Sequence, residues 1–398
     1  MNSISRLFAV AVVAVALGCT AASTPAAPAT DAAPATDAAT DALAQISDAN
    51  NPADVSSDAS AGVNAETTLP EASATAEDAG QVPPAPVWSL LKALPQQLWG
   101  SMVMPAPTLA GIYVGFGGNG YPQTGVNQLT WQYTVATDSW TSTTLASAPP
   151  PRYCHCMVTL PTVDEVLLVG GRSETGGLPA AAWTYSLATK QWQAVTGSVP
   201  LGTIGCHAGW LPNLEGGRAV VFAGQGLSVG MDTSTWLYDP TARSFALHKP
   251  TTTPPSRRDG ATASDIVGNR VLVFGGQTAP QPNAAHTNDF WQFDGSNWSK
   301  VVATGSKPSP RRYPATAFDS KRRWLVVFSG TNEVKDFEDL WLFDASADHW
   351  TQLPVVEAPE VRSFGAMIFD SGSQAFYLFG GFTSPGMKGQ ADGYRLVL

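Results

Sequence analysis

Arg152, Arg257, Arg311 and Arg362 stand one or two intervals of about fifty residues apart, in the settings PRYC, SRRD, RRYP and VRSF. A guanidinium is a rigid fork of donors, and four of them at matched positions are suited to a carboxylate, phosphate or sulfate. Aromatic residues accompany three of them, Tyr153, Tyr313 and Phe364, as stacking platforms. Two further stretches carry cysteine beside histidine: Cys154-His155-Cys156 and Cys206-His207. Cysteine with histidine is the chemistry of a metal site, a disulfide or buried thiols. Alternation along a strand puts Cys154 and Cys156 on one face and His155 on the other, so the tripeptide does not wrap one ion. With Cys154 and Cys206 taken as equivalent, the shared surface holds either Cys154, Cys156 and His207, or His155 and Cys206. A disulfide from Cys206 to Cys154 or Cys156 then needs a bend that breaks this parity. No metal or other cofactor is expected. There is no G-x-S-x-G, H-E-x-x-H or Walker loop in the sequence.

The elements that position these groups declare themselves as a repeat. Trp88, Trp140, Trp192, Phe245, Trp298 and Trp350 lie 52, 52, 53, 53 and 52 residues apart. Seven to nine residues before each of the last five stands a second aromatic, Trp131, Trp183, Trp236, Trp291 and Trp341, and Tyr394 continues that series. These sit in period-2 segments such as LTWQY and DLWLF, the pattern of half-buried strands. A third ladder is apolar and runs into glycine: IYVGFGG, EVLLVGG, AVVFAGQ, RVLVFGG, WLVVFSG and AFYLFGG. With the segment before each glycine strand, every unit holds four strands. The last unit stops on its third strand at Leu398, whereas Val87–Pro95, VWSLLKALP, supplies an outer aromatic with no unit before it. The N-terminal strand is therefore expected to complete the last unit and close the ring, sparing it exposed strand edges.

The repeat resembles the kelch repeat over residues 87–398. That resemblance implies an all-β, six-bladed propeller, and it places the four arginines on the loops around one channel mouth. Some kelch domains capture acidic peptides or acidic sugars with arginines at this kind of position. The candidate ligand-binding set is thus Arg152, Arg257, Arg311, Arg362, Tyr153, Tyr313, Phe364, His155 and His207. Each arginine has an alternative employment, hydrogen bonding to blade carbonyls or pairing with a loop acid.

The segment ahead of the repeat is of another kind. Residues 1–19 carry one arginine, the apolar run Leu7–Leu17 and then Gly18-Cys19, the layout of an export signal. The ending ALGC resembles the bacterial lipobox, with Ala16 where leucine is commonest, and this makes Cys19 the expected lipidation site; ordinary cleavage near Ala21 or Ala22 is the alternative. Residues 20–86 contain ten acidic residues and no lysine or arginine, with little to bury, and are expected to be a disordered linker. The chain's net charge of −10 belongs to that linker, so the repeat is nearly neutral and lacks the basic face of a nucleic-acid binder. The expected protein is exported, held at a membrane or cell surface by its lipid, and binds a protein segment or acidic glycan at the mouth. The alternatives are a sugar-modifying enzyme of the sialic acid epimerase or lyase kind, recruiting His155 or His207, and a structural envelope component.

Overall fold

The computed structural model describes residues 84–398 except 107, 121–123, 176–181, 201–202, 227–229, 281–283 and 384–387. The leader, Cys19 and nearly all of the acidic linker lie outside the described residues.

Six four-stranded antiparallel sheets follow one another around an axis. Their innermost strands are Met102–Pro105, Tyr153–Leu160, His207–Leu211, Ala261–Asp265, Ala315–Asp319 and Ala366–Asp370, one for each of blades 1 to 6. Blade 3 carries an additional short piece, Thr203–Ile204. The glycine-terminated strand is second in every blade and buried on both faces, and for this reason it reads as a continuous apolar run. Among the described residues the one helical turn is a 3-10 segment, Val135–Thr137. The chain is an all-β, six-bladed propeller.

Closure is made by Val87–Leu90. It pairs antiparallel with Gly393–Val397 in the register Val87–Val397 to Leu90–Tyr394, giving blade 6 its fourth strand. The main chain continues the union with Leu91 N–H donating to Gly393 O and Leu94 N–H to Ala391 O. Trp88 is buried between blades 5 and 6, its ring 5.1 Å from Phe328 and 6.4 Å from Tyr394.

The blades also meet at the axis in a closed cycle of backbone hydrogen bonds. Cys154 N–H donates to Gly100 O, Gly205 to Cys154, Asp259 to Gly205, Tyr313 to Asp259, Phe364 to Tyr313 and Gly100 to Phe364, at 2.7–3.2 Å. All six residues have φ between +54° and +66°. Four of them carry side chains in a left-handed region that ordinarily favours glycine, so the ring holds them there against their local preference.

Candidate functional site

The four guanidiniums lie inside the loop layer and do not face the mouth. Arg152, Arg257, Arg311 and Arg362 are each 0% exposed. Each Nε donates to the carbonyl two residues back, of Pro150, Pro255, Ser309 and Glu360. Each Nη1 donates to the carbonyl at the first position of its own blade's Gly-Gly pair, Gly170, Gly275, Ser329 and Gly380. Three forks then close bidentately on an acid: Arg257 on Asp289, Arg311 on Asp339 and Arg362 on Asp392. Arg257 and burial act in opposite directions on Asp289, and its carboxyl ends below the ordinary range. Among the described residues Arg152 has no such hydrogen-bonded acid, and burial lowers it to about 10.

Those acids were readable in the sequence: each stands two residues before a third-strand aromatic, as D-x-W or D-x-Y, where blade 2 has Ala181. The positions matching the arginines in blades 1 and 3 are Leu98 and Thr203; counting twelve residues on from Trp88 and Trp192, as from Trp140 to Arg152, gives Gly100 and Ile204 instead. A Cβ on Gly380 would stand 2.2 Å from Leu98 O and one on Gly170 2.1 Å from Thr203 O, just as one on Gly117 would meet Arg152 O at 2.3 Å.

The cysteine parity is corrected by the same register. Cys156 lies opposite Val169 and His207 opposite Phe222, and these two are equivalent, each preceding the glycine pair of its second strand. Hence Cys206 matches His155, not Cys154, and faces back toward blade 2. A disulfide joins Cys156 to Cys206 there, with the Cα atoms 5.6 Å apart. His155 and His207 do not share a site: His155 faces blade 1, near Phe116, while His207 Nδ1 lies 2.8 Å from Thr262 Oγ1 of blade 4. Both rings are fully buried, and burial, reinforced by Arg152 and Arg257 respectively, lowers each to about 3. Both are neutral at neutral pH. Among the described residues no group of three or more His, Cys, Asp or Glu is arranged to hold a metal ion.

The aromatic residues of the sequence reading have another role. Tyr153, Tyr313 and Phe364 join Trp99, Cys154, Ile204 and Phe382 in one cluster, with Tyr313 stacked on Phe364 at 3.5 Å and Trp99 set edge-on to Tyr153 and Phe364. Because that cluster draws on five of the six blades, it crosses the axis. It plugs the end of the channel on which the arginine loops lie.

Below the plug the channel is open, with a volume of about 750 Å³, within the range of small-ligand sites. It runs from the backbone ring to the hairpins joining first and second strands, among them Thr108–Gly111, Pro161, Ile266 and Lys321. Its wall is mainly apolar, with Met102, Met104, Trp210, Phe318 and Phe369 among threonine and serine hydroxyls. Apolar side chains stand exposed at the entrance, Leu109 at 44% and Ile266 at 41%. The floor is polar. Asp259 is buried there, its carboxylate 3.4 Å from Arg258 Nε, and burial raises its pKa against the opposing pull of Arg258 and Arg312. Arg258 and Arg312, also buried, both donate to Gln277 Oε1. The sequence reading missed this floor because it followed the first arginine of each RR pair.

The comparisons agree with this architecture. A family model described as the KLHDC2/KLHL20/DRC7 Kelch-repeats domain matches residues 106–294 and 165–381. The Acyl-CoA-binding domain-containing protein 5 of Arabidopsis thaliana is 26% identical over 263 residues, 61% of this chain and 38% of that protein. The Rab9 effector protein with kelch motifs of Rattus norvegicus is 29% identical over 209 residues, 50% of this chain and 54% of that one. A 139-residue match to the Dynein alpha chain, flagellar outer arm, of Chlamydomonas reinhardtii is 35% identical but covers 33% of this chain and 3% of that protein. The chain thus spans about half the length of these relatives or less. The solved structure of YjhT superposes with a TM-score of 0.58 at 14% identity, covering 77% of this chain and 97% of that one, a likeness of fold.

Proposed function

The chain belongs to the kelch-repeat family, and on that premise we propose that it is an exported, lipid-anchored binding protein whose propeller takes an extended protein segment into its central channel. The observation that carries this reading is the blind channel of about 750 Å³, plugged at one end and rimmed by exposed apolar side chains at the other. A cavity of that size admits a few side chains of an extended segment and no folded partner. The four methionines in its wall supply adaptable, polarisable packing. The Rab9 effector relative, named for a protein partner, supports protein binding over a purely structural role. Recognition of an acid by the four sequence-marked arginines finds no support in their burial. The charged-then-apolar leader and the lipobox-like ending at Cys19 support a lipid tether outside the cytoplasm.

A second reading, an enzyme acting on a sugar, is favoured by one feature: Asp259 with a raised pKa beside Arg258 at the channel floor. Both readings are tested on the full chain. Calorimetry against extended apolar peptides and neutral and acidic oligosaccharides is run alongside Ala208→Trp, which fills the channel from its wall. A peptide is expected to bind, and Ala208→Trp to weaken it at least tenfold with the melting temperature unchanged. Equal binding by the filled variant overturns the channel reading, and chemical conversion of a sugar favours the enzyme. Membrane fractionation tests the tether: Cys19→Ser is expected to free the protein from lipid, and a wild-type protein that is already soluble overturns it.

A further inference from the structure

The channel wall is chemically uneven. Met102, Met104 and Met157 line it together at the interface of blades 1 and 2, Met157 within a buried cluster and the half-buried Met102 and Met104 packed against it. His155 lines it at the same interface, and among the described residues neither ring nitrogen has a hydrogen-bond partner although the residue is only 3% exposed. A buried imidazole without partners is costly and calls for a ligand.

Repeat geometry brings these groups together. The ring bond between Cys154 N–H and Gly100 O sets Met102 level with Cys156 of the next blade, since each stands two residues beyond its ring residue. Met102 and His155 therefore occupy the positions that Cys156 and Cys206 occupy one interface further on. That pair is covalently joined, with Cα atoms 5.6 Å apart. The same two positions touch elsewhere: a Cβ on Gly260 would meet His207 Cε1 at 3.0 Å, and one on Gly365 would meet the Ala315 Cβ at 3.6 Å. Met102 thus stands against His155. Met157, two residues along the strand from His155, projects to the same side. Phe116, which pairs with Met102 in register, reaches the His155 ring at 6.2 Å and closes the back of the group.

We propose that Met102, Met157 and His155, with Met104 adjoining, form a binding site for a soft monovalent cation of the Cu(I) type at the blade 1–2 interface. Thioethers select soft ions, imidazole suits copper, and a set of uncharged ligands matches a single positive charge in a buried place. The Arg152 guanidinium nearby disfavours a doubly charged ion. Zn(II) would find one good ligand, the imidazole.

The test uses the full chain, purified without reductant so that Cys156 and Cys206 stay joined, and titrated with Ag(I) as a redox-inert soft monovalent ion. Uptake is followed by calorimetry and by the ¹³C resonances of methyl-labelled methionines. The expected result is saturable uptake that shifts Met102 and Met157, leaves Met231 on a distant strand unmoved, and weakens at least tenfold in Met102→Leu. Leucine conserves the volume, so the melting temperature of that variant should stay within a degree or two. An absence of saturable uptake, uptake indifferent to Met102→Leu, or tighter retention of Zn(II) than of Ag(I) would each overturn the assignment.

Discussion

Replacing Trp88 by alanine probes ring closure at a single side chain. Trp88 is 8% exposed and packs against Phe328 and Tyr394, while its strand contributes four register pairs to blade 6. Truncating a buried tryptophan costs ~3–5 kcal/mol. A propeller of roughly 310 residues has an unfolding entropy of ~0.65 kcal/mol/K at its midpoint, from ~2.1 cal/mol/K per residue. The melting temperature should therefore fall by about 5–8 °C in a calorimetric scan. Removing the strand altogether, in a chain that begins at Leu98, forfeits the Trp88 packing and the backbone pairing with Gly393–Val397. That loss is comparable to a domain's whole margin of ~5–15 kcal/mol, so this chain should aggregate or melt far lower than one beginning at Pro83. A shift under 2 °C for Trp88→Ala, or equal melting of the two truncated chains, would refute closure by this strand.

The other expectations concern charge. Arg311→Gln, by leaving Asp339 and the Ser329 carbonyl without their donor, should lower stability by ~3–5 kcal/mol in urea and leave ligand capture unchanged; an unchanged urea midpoint with lost binding would restore the arginines to the ligand site. His155 and His207, with folded values near 3 against 6.5 for the free side chain, should make the fold acid-sensitive. Below pH 6.5 the unfolded chain takes up protons that the folded chain refuses until about pH 3, so their stabilisation is complete above 6.5 and drains away across that window. The slope is about 1.4 kcal/mol per pH unit for each ring. Melting curves between pH 7 and pH 4.5 should show the decline, and His207→Leu should flatten it; a pH-independent melting temperature would contradict neutral burial.

The architecture was legible because its signals are periodic and chemically blunt. Outer aromatics recur every 52 or 53 residues, apolar runs end in glycine, and one outer strand at the start has no unit of its own. The site was less so, for a reason of register. Counting from the outer aromatics assumes loops of equal length, but Leu98 follows Trp88 by ten residues and Thr203 follows Trp192 by eleven, against twelve for Arg152 after Trp140. A slip of one residue reverses the face of a strand residue. This is how Cys206 came to be matched with Cys154 and its bond to Cys156 seemed to require a bend. The group around Met102 was illegible for a related cause: it forms between innermost strands that share no ladder, where no sequence periodicity reports who meets whom.

The cycle of six hydrogen bonds at the axis is a chain of donors and acceptors with no first and no last member. Each blade supplies one donor and one acceptor to it, so a ring that failed to close would leave one of each stranded at the most crowded point of the molecule. Together with the aromatic plug above it, the cycle also turns the channel into a cul-de-sac. A molecule that enters must reverse out through the same doorway, past Leu109, Ile266 and Lys321, and no second occupant can arrive until the first has gone. Residence time would then be governed by that doorway, and substitutions there would change entry and exit rates together while leaving affinity, set deeper in, nearly untouched.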